Sequence, residues 1–410
     1  MPMKNIRDTR DEKNLYYILS NESLANSVPC YEDAAVIICL YYEDSMEKYS
    51  GYTDNIPENV PVYIVSSNKE LYEPILEYIK KNKNRKIELI KKKNRGRDIS
   101  ALLVAGREVC LKYKYICFVH DKRKKEEVPD SEFDLWIENL WGNSLGGQIY
   151  IQNVLSLLET NGKLGVLAPP EPIGTYINAW YINAWGEKNF ILAKQLAAEL
   201  NLECDLDIDK SPITFGTVFW AKSAALRKLF EKEWKYEDFD DEPLGRETIS
   251  HAIERILGYV AQDAGYDTGT VMNTTYAGKL LSYTQQRFFP MYQLLVNDYC
   301  IYDIDFFLNK QKFIYDFCNR NKRIYLYGAG KVGKGCLHFL RAGGFEPAGF
   351  IVTRNARKDK QIEGLFVEEL AFVKDITDVG IIITVGKQMV DEIEQVLKSR
   401  DVRNYIKYIE

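Results

Sequence analysis

The sequence predicts an α/β protein: a mostly parallel sheet flanked by helices, followed by a smaller α/β domain at the C-terminus. Three observations carry this expectation. Short, continuously apolar runs (Ala34–Leu40, Val60–Val65, Ile87–Ile90, Tyr115–Val119) alternate with segments of helical spacing, such as Lys69–Lys83 with Leu71, Ile75, Leu76 and Ile79. Strands without polar alternation are buried on both faces, as in a parallel sheet covered by helical crossovers. Beyond residue 321, a strand–turn–helix run pivots on Gly328-Ala329-Gly330-Lys331-Val332-Gly333.

Residues 1–33 form a polar N-terminal extension, expected to be helical or irregular around Leu15–Leu19. The main domain spans 34–279. Its first half reads strand 34–40, strand 60–65, helix 69–83, strand 87–90, helix 99–111 and strand 115–119. Trp136–Leu158 is helical, broken at Gly142 and at Gly146-Gly147; Leu164–Leu167 is a strand that stops at Pro169-Pro170. Further helices lie at 191–200, 223–232 and 249–264, with a strand at Phe215–Trp220. Residues 280–321 are aromatic, helical and free of glycine, a connector. Residues 322–410 make the C-terminal domain, with strands at 323–327, 348–352, 379–385 and 405–409 and helices after the glycine turn and at 389–398.

At 410 residues the chain exceeds one ordinary core, and 46% hydrophobic with 28% charged residues describes a globular protein. A net charge of -5 argues against non-specific nucleic-acid binding. No apolar stretch approaches the ~20 residues that cross a bilayer, and the charged stretch Met1–Glu12 has no signal-peptide core. A cytoplasmic location is expected. The eight cysteines show no C-x-x-C pair or metal-like spacing.

Two polar signatures carry the chemistry. Asn94-Arg95-Gly96-Arg97-Asp98 comes after one apolar run, and His120-Asp121-Lys122 closes another. Residues just beyond the end of a buried parallel strand face the crevice at the sheet edge. A carboxylate between an imidazole and an ammonium, beside two guanidinium groups, suits a diphosphate with or without a metal ion, and so a nucleotide-activated donor, in particular a sugar. Asp121 can ligate Mg²⁺ or Mn²⁺ together with the diphosphate, with His120 or His251 adding an imidazole that tilts the choice toward Mn²⁺. The metal-free route uses Lys122, Arg95 and Arg97. The plain alternative for Asp121 is a salt bridge with Lys122 or Arg123. Gly96 provides close approach to the donor or a positive φ, or belongs to an ordinary turn. Asp98 caps the helix that starts at Ile99, or bonds the donor's base or ribose.

The order strand, N-R-G-R-D, helix, strand, H-D-K resembles the rhamnan synthesis F family, placed among type A glycosyltransferase-like folds. The resemblance runs over roughly residues 34 to 275. It includes Tyr41-Tyr42-Glu43-Asp44, Asn55-Ile56-Pro57, Gly165–Pro170, Phe215–Lys222 and His251-Ala252-Ile253-Glu254-Arg255. It implies transfer of a sugar, often rhamnose, from a nucleotide sugar to a growing cell-surface polysaccharide. The implied acceptor is a glycan or lipid-linked glycan, reached by peripheral contact with the inner face of the membrane. In type A folds an acid on the helix corresponding to 249–264 accepts the acceptor proton. Here His251 falls nearest that place, with Glu254 on the same helical face. The wider fold carries two acids where H-D-K has Asp121 alone, which leaves the metal open.

Trp180, Tyr181 and Trp185, from the repeat Y-I-N-A-W-Y-I-N-A-W, offer a stacking platform for a sugar acceptor or pack in the core. The glycine turn with Gly328, Gly330 and Gly333 fits a dinucleotide fingerprint, but the next strand ends at Thr353-Arg354, with no acid for a ribose 2′-hydroxyl. The C-terminal domain resembles instead the Rossmann-like N-terminal domain of sugar O-acyltransferases, and either binds a nucleotide or serves assembly. Two rivals to sugar transfer are a nucleotide-sugar-binding protein without transfer and an NADP-linked oxidoreductase working through the C-terminal domain.

Overall fold

The computed structural model describes residues 16–22, 31–126, 128–172, 185–208, 214, 216–241, 247–354, 360–373 and 379–408. The chain divides into two compact units, Met1–Leu281 and Ser282–Glu410.

The first unit is built on strands β1 (Tyr16–Leu19), β2 (Ala34–Cys39), β3 (Val62–Ser66), β4 (Ile87–Lys91), β5 (Tyr115–His120), β6 (Leu164–Ala168), β7 (Phe219–Lys222) and β8 (Asp267–Asn273). They form one sheet in the order β1-β8-β6-β7-β5-β2-β3-β4. All neighbours are parallel except at β7, which is antiparallel to both β5 and β6. The mostly parallel sheet matches the expected class. Alternate residues of β2 enter opposite cores. Ala35, Ile37 and Cys39 pack under the helical residues Ile99, Leu102, Ala252 and Ile256; Ala34, Val36 and Ile38 pack with Leu71, Ile75, Tyr150 and Val154. Two covered faces explain why β2 and β5 are apolar throughout.

Chain direction places the site. From β2 the chain moves outward to β3 and β4, then returns to the other side of β2 as β5. The carboxyl ends of β2 and β5, paired Cys39 to His120, therefore flank the switch point where open α/β sheets bind ligands. Because β7 is antiparallel, its entry lies beside the exit of β5, with Phe118 opposite Phe219.

Several elements differ from expectation. Tyr16–Leu19 is an edge strand paired with β8 rather than helix or irregular chain; four residues are too few to display a period. Strand β8 has no apolar signature, because D-T-G-T-V-M-N is not an apolar run, yet six of its seven residues are buried. The strand expected at Phe215 begins at Phe219. The helix expected over 99–111 is interrupted by a π turn at Ala101–Ala105, where Gly106 N–H reaches Ala101 O at 2.8 Å.

In the second unit, strands β9 (Ile324–Tyr327), β10 (Gly349–Val352), β11 (Gln361–Ile362), β12 (Leu365–Glu369), β13 (Gly380–Ile383) and β14 (Tyr405–Lys407) form a sheet ordered β11-β12-β10-β9-β13-β14. It is parallel apart from the β11–β12 hairpin. That hairpin turns on Glu363 and Gly364, both at positive φ, as a two-residue hairpin loop requires. Helices Thr274–Gln293 and Ile304–Arg320 fill the segment expected to be helical.

Candidate functional site

The two polar signatures meet. Asp98 Oδ2 stands 3.5 Å from His120 Nε2. Strand alternation explains which residues of H-D-K take part. His120 continues the face of Phe118, on which it stacks, and so points under the helices that begin at Arg97 and Ile249. Asp121 points to the opposite side. Its Oδ2 accepts the Tyr41 and Tyr42 backbone N–H groups at 2.6 and 2.9 Å and the Ser45 hydroxyl. Asp121 thereby ties the end of β5 to the loop after β2 and the start of the Ser45–Asp54 helix. Burial pushes its carboxyl up, against the pull of those three donors.

Lys122 returns to the Asp98 side. Its ammonium donates to Gly216 O at 2.9 Å and lies 5.2 Å from the Trp136 ring centroid. Burial lowers it, and Asp98, Glu254 and Asp121 oppose that shift. His120 is lowered by burial and by Lys122, although Asp98 and the Gly216 carbonyl pull upward. Its nitrogens face carbonyl oxygens, Nδ1 toward Asp121 at 3.0 Å and Nε2 toward Gly216 at 2.8 Å. Burial raises Asp98, but His120 and Lys122 outweigh it and hold the carboxyl below its usual range. Asp98 is therefore an ion partner and not a simple helix cap; Gly96 occupies the cap position, and its φ is +72°.

Arg95 turns away from the crevice. Nε donates to Phe239 O at 2.7 Å, and Nη1 pairs with Asp241 at 3.1 Å. It fastens the 236–241 loop rather than a donor. Arg97 and Asn94 are exposed; the Asn94 side chain accepts from the Ser67 hydroxyl at 3.2 Å. Arg97 and Asp121 both act on the Tyr42 phenol, so the loops after β2, β4 and β5 share one region.

The Ile249–Asp263 helix brings in His251 and Glu254. His251 Nδ1 lies 2.8 Å from the Thr248 hydroxyl. Burial lowers its pKa, Glu254 raises it and Arg255 lowers it further; Asp98 and Arg97 are also near enough to act on it. Glu254 Oε1 accepts Gly216 N–H at 2.6 Å and Oε2 pairs with Arg255 Nη1 at 2.9 Å, which ties this carboxylate to the Gly216 turn.

Asp121 and His251 hold different partners, and both His120 nitrogens point at carbonyls. Among the described residues no group of three or more His, Cys, Asp or Glu is placed to hold a metal ion. Trp185 is 5% exposed and packs edge-on against Phe190 with centroids 5.1 Å apart, so core packing, not stacking on an acceptor, accounts for it. Trp180 and Tyr181 lie outside the described residues. The seven cysteines among the described residues are buried and outside any disulfide, so none of these seven is placed as a nucleophile. Among the described residues no helix is long and apolar enough to cross a membrane.

In the second unit, Gly328, Gly330 and Gly333 sit between β9 and the Lys331–Ala342 helix, as expected. Two of them have a packing reason. A Cβ on Gly333 would stand 1.9 Å from Gly328 O, and one on Gly328 2.6 Å from Thr384 O; Gly330 faces open space.

Sequence reasoning misses Gly216 and Thr217 as part of the site. The segment F-G-T-V-F-W-A-K stands out in the chain, but only the antiparallel course of β7 brings its turn to the end of β5.

A mostly parallel α/β sheet with an acid, an imidazole and an ammonium at its switch point defines an α/β protein whose ligand crevice lies there. Residues 3–291 match the family model described as rhamnan synthesis protein F, and the chain belongs to that family. The uncharacterized protein WxcX of Xanthomonas campestris pv. campestris (strain B100) is 25% identical over 186 residues, 44% of this chain and 25% of that protein. The chain thus spans about a quarter of that relative's length. Among solved structures, the mannosyltransferase PcManGT from Pyrobaculum calidifontis, in complex with GDP-Man and Mn²⁺, matches 60% of this chain and 57% of its own, with 12% identity and a TM-score of 0.32.

Proposed function

We propose that this protein is a type A glycosyltransferase that moves a sugar, rhamnose in the first instance, from a nucleotide sugar to a growing cell-surface polysaccharide. The observation that carries the reading is the convergence of Asp98, His120, Lys122 and His251 at the switch point of a chain in the rhamnan synthesis protein F family. In this reading Arg97 and Lys122 stabilise the charge that grows on the leaving nucleoside diphosphate. His251 accepts the acceptor hydroxyl's proton as the oxygen bonds to the anomeric carbon and the carbon–phosphate oxygen bond breaks. Its lowered pKa keeps the imidazole neutral and able to take that proton, and Thr248 orients the ring. In this reading the cationic side chains neutralise the diphosphate, and Asp121 together with the diphosphate would hold Mg²⁺ or Mn²⁺ where the reaction uses one. A glycan or lipid-linked glycan is the acceptor, met at the inner face of the membrane from the cytoplasm. The glycine turn of the second unit, opening a helix, is the corresponding proposal for a nucleotide.

The test is release of nucleoside diphosphate from a panel of UDP-, GDP-, dTDP- and CDP-sugars by the purified protein. Release from one donor, lost in a folded His251→Ala variant, is expected. No thermal shift and no release with any donor would remove the reading. The engagement of Asp121 by the β2 loop favours one rival, a nucleotide-sugar-binding protein without transfer; its signature is a thermal shift with no release under any acceptor.

A further inference from the structure

One stretch of helix reaches the end of β5 at three points. Trp136 lies in the last turn of the Asp130–Ile137 helix, and a π turn, Glu138–Gly142, follows without a break. The Trp136 ring centroid is 5.2 Å from the Lys122 ammonium. Leu140 backs the Gly216 turn, since a Cβ on Gly216 would stand 3.3 Å from Leu140 Cδ2. Trp141 donates its indole N–H to His120 O at 3.1 Å. In a regular α-helix, side chains five residues apart diverge by about 140°. The wider turn between Trp136 and Trp141 lets both face the H-D-K segment.

A π turn gives up part of the regular helical bonding, and buried carbonyls need other donors. Here side chains supply them. Leu140 O accepts the Ser144 hydroxyl at 2.7 Å, Gly142 O accepts Asn273 Nδ2 at 3.2 Å, and Asn143 O accepts the Tyr150 hydroxyl at 2.9 Å. Asn139, inside the turn, donates to Pro170 O at 2.8 Å and accepts from Asn143 at 3.0 Å. All of these side chains are buried. The turn is therefore fixed in the core and ties the ends of β6 and β8 to that of β5.

Trp141 is fully buried and stacks on Tyr49, with ring centroids 4.3 Å apart. The Tyr49 hydroxyl accepts Lys122 N–H at 3.2 Å. The stacked pair thus holds the two peptide groups on either side of Asp121, one by its carbonyl and the other by its N–H. Strand β5 ends at His120, so this grip takes over where the sheet ladder stops. From that backbone the His120 imidazole and the Lys122 ammonium both reach Gly216 O, at 2.8 and 2.9 Å.

We propose that Trp141, with Tyr49 stacked on it, is a positioning residue of the donor site: the pair fixes the His120–Lys122 backbone so that the imidazole and the ammonium stay aimed at Asp98 and the Gly216 turn. The inference rests on reading this crevice as the donor site. Both residues act through the H-D-K backbone, and the π turn becomes a working part of the site rather than an irregularity of the helix.

The test compares Trp141→Phe, which keeps a stacking ring and loses the donor, with Trp220→Phe. The latter removes another buried indole N–H, bonded to Ser144 O at 3.0 Å and off the H-D-K segment. Trp141→Phe is expected to lower kcat/KM by about three- to tenfold, the size of one neutral hydrogen bond, while Trp220→Phe stays within about twofold. A second readout needs no donor sugar. The chain has three histidines, so the rings can be assigned and titrated by NMR. Burial holds His120 down, and its titration is expected to move up toward 6.5 in Trp141→Phe and to match wild type in Trp220→Phe. Tyr49→Phe keeps the stack and strands Lys122 N–H; it carries the same expectations should Trp141→Phe not fold. A His120 titration equal to wild type in the Trp141 and Tyr49 variants would overturn the proposal, as would an equal shift in Trp220→Phe. A shift confined to the Trp141 and Tyr49 variants, with no turnover by wild type, would uphold the positioning role and refute the transferase reading instead.

Discussion

Asp98 Oδ2 and His120 Nε2 stand 3.5 Å apart, although a helix and a strand separate them along the chain. Asp98 is held ionised by His120 and Lys122 against its own burial. Removing its charge leaves an ammonium and an imidazole in a confined space with one fewer counter-charge. Asp98→Asn is therefore expected to lower the Lys122 pKa further and to weaken donor binding. The stability contribution has a definite sign. A carboxyl depressed in the folded state stabilises above its unfolded pKa, and that contribution is lost as pH falls through the folded value. Wild type and Asp98→Asn should thus differ in Tm at pH 7 and converge as pH falls below 3.8 and through the depressed folded value in a thermal melt series.

His251 sets the expected pH dependence of activity. A base must be unprotonated, and burial lowers this imidazole below its usual 6.5. The acid limb of kcat/KM is expected to fall below pH 6.5 rather than at or above it, because the neutral form persists to lower pH. Replacement by alanine is expected to cost about 10²–10⁴ in kcat, the usual range for general-base loss. A profile whose acid limb is unchanged in His251→Ala would assign the base elsewhere.

Much of the molecule is legible in its residues, and the failures have physical causes. The alternation of buried strands and helices predicts the sheet, since apolar runs such as Tyr115–Val119 have no other home. The site's location is set by strand ends. Treating H-D-K as one cluster misplaces Asp121. Period-two alternation sends His120 and Lys122 to one side and Asp121 to the other, and that much is legible without coordinates. Arg95 is not: its loop partner, Phe239, is remote in sequence, and a guanidinium beside a glycine turn looks alike in either role. The antiparallel β7 is also invisible, because strand direction depends on pairings that no local window records.

Arg95 and Arg97 should separate cleanly in kinetics. Arg95 holds two backbone carbonyls and Asp241 of the 236–241 loop. Arg95→Lys loses that fork geometry and is expected to lower Tm while leaving the donor KM within about twofold. Arg97 is exposed at the crevice. Arg97→Ala is expected to raise the donor KM by about tenfold, the size of one charge-assisted phosphate contact. Steady-state kinetics with paired thermal melts measures both.

Asp121 distinguishes an anchor from a metal ligand. Its Oδ2 serves three donors at the start of the Ser45–Asp54 helix. Asp121→Ala strands those donors and is expected to cost about 2–4 kcal/mol, since each buried unpaired group costs about 1–3 kcal/mol. Asp121→Asn keeps an acceptor and should lose less. Consistent with a site neutralised by side chains, saturating chelator is expected to leave activity within about twofold. Abolition by chelator, restored by Mn²⁺, would overturn that assignment.

Gly96 tests how tightly the Arg95–Asp98 turn is built. Its φ is +72°, and an added Cβ would lie 2.5 Å from Phe239 Cγ and 2.8 Å from Ser100 Cβ. Phe239 is 1% exposed, packs against Trp234 and has its carbonyl held by Arg95, so it cannot swing aside. Gly96→Ala adds backbone strain of roughly 1 kcal/mol to overpacking of about 1–3 kcal/mol. The expected loss is about 2–4 kcal/mol, with a raised donor KM because Arg97 is the next residue in the chain. Phe239→Leu, which makes room for the methyl, should recover the packing part but not the φ part. A double-mutant cycle by denaturant unfolding reads that coupling. Strict additivity of the two changes would mean that the glycine serves φ alone and that the ring is free to yield.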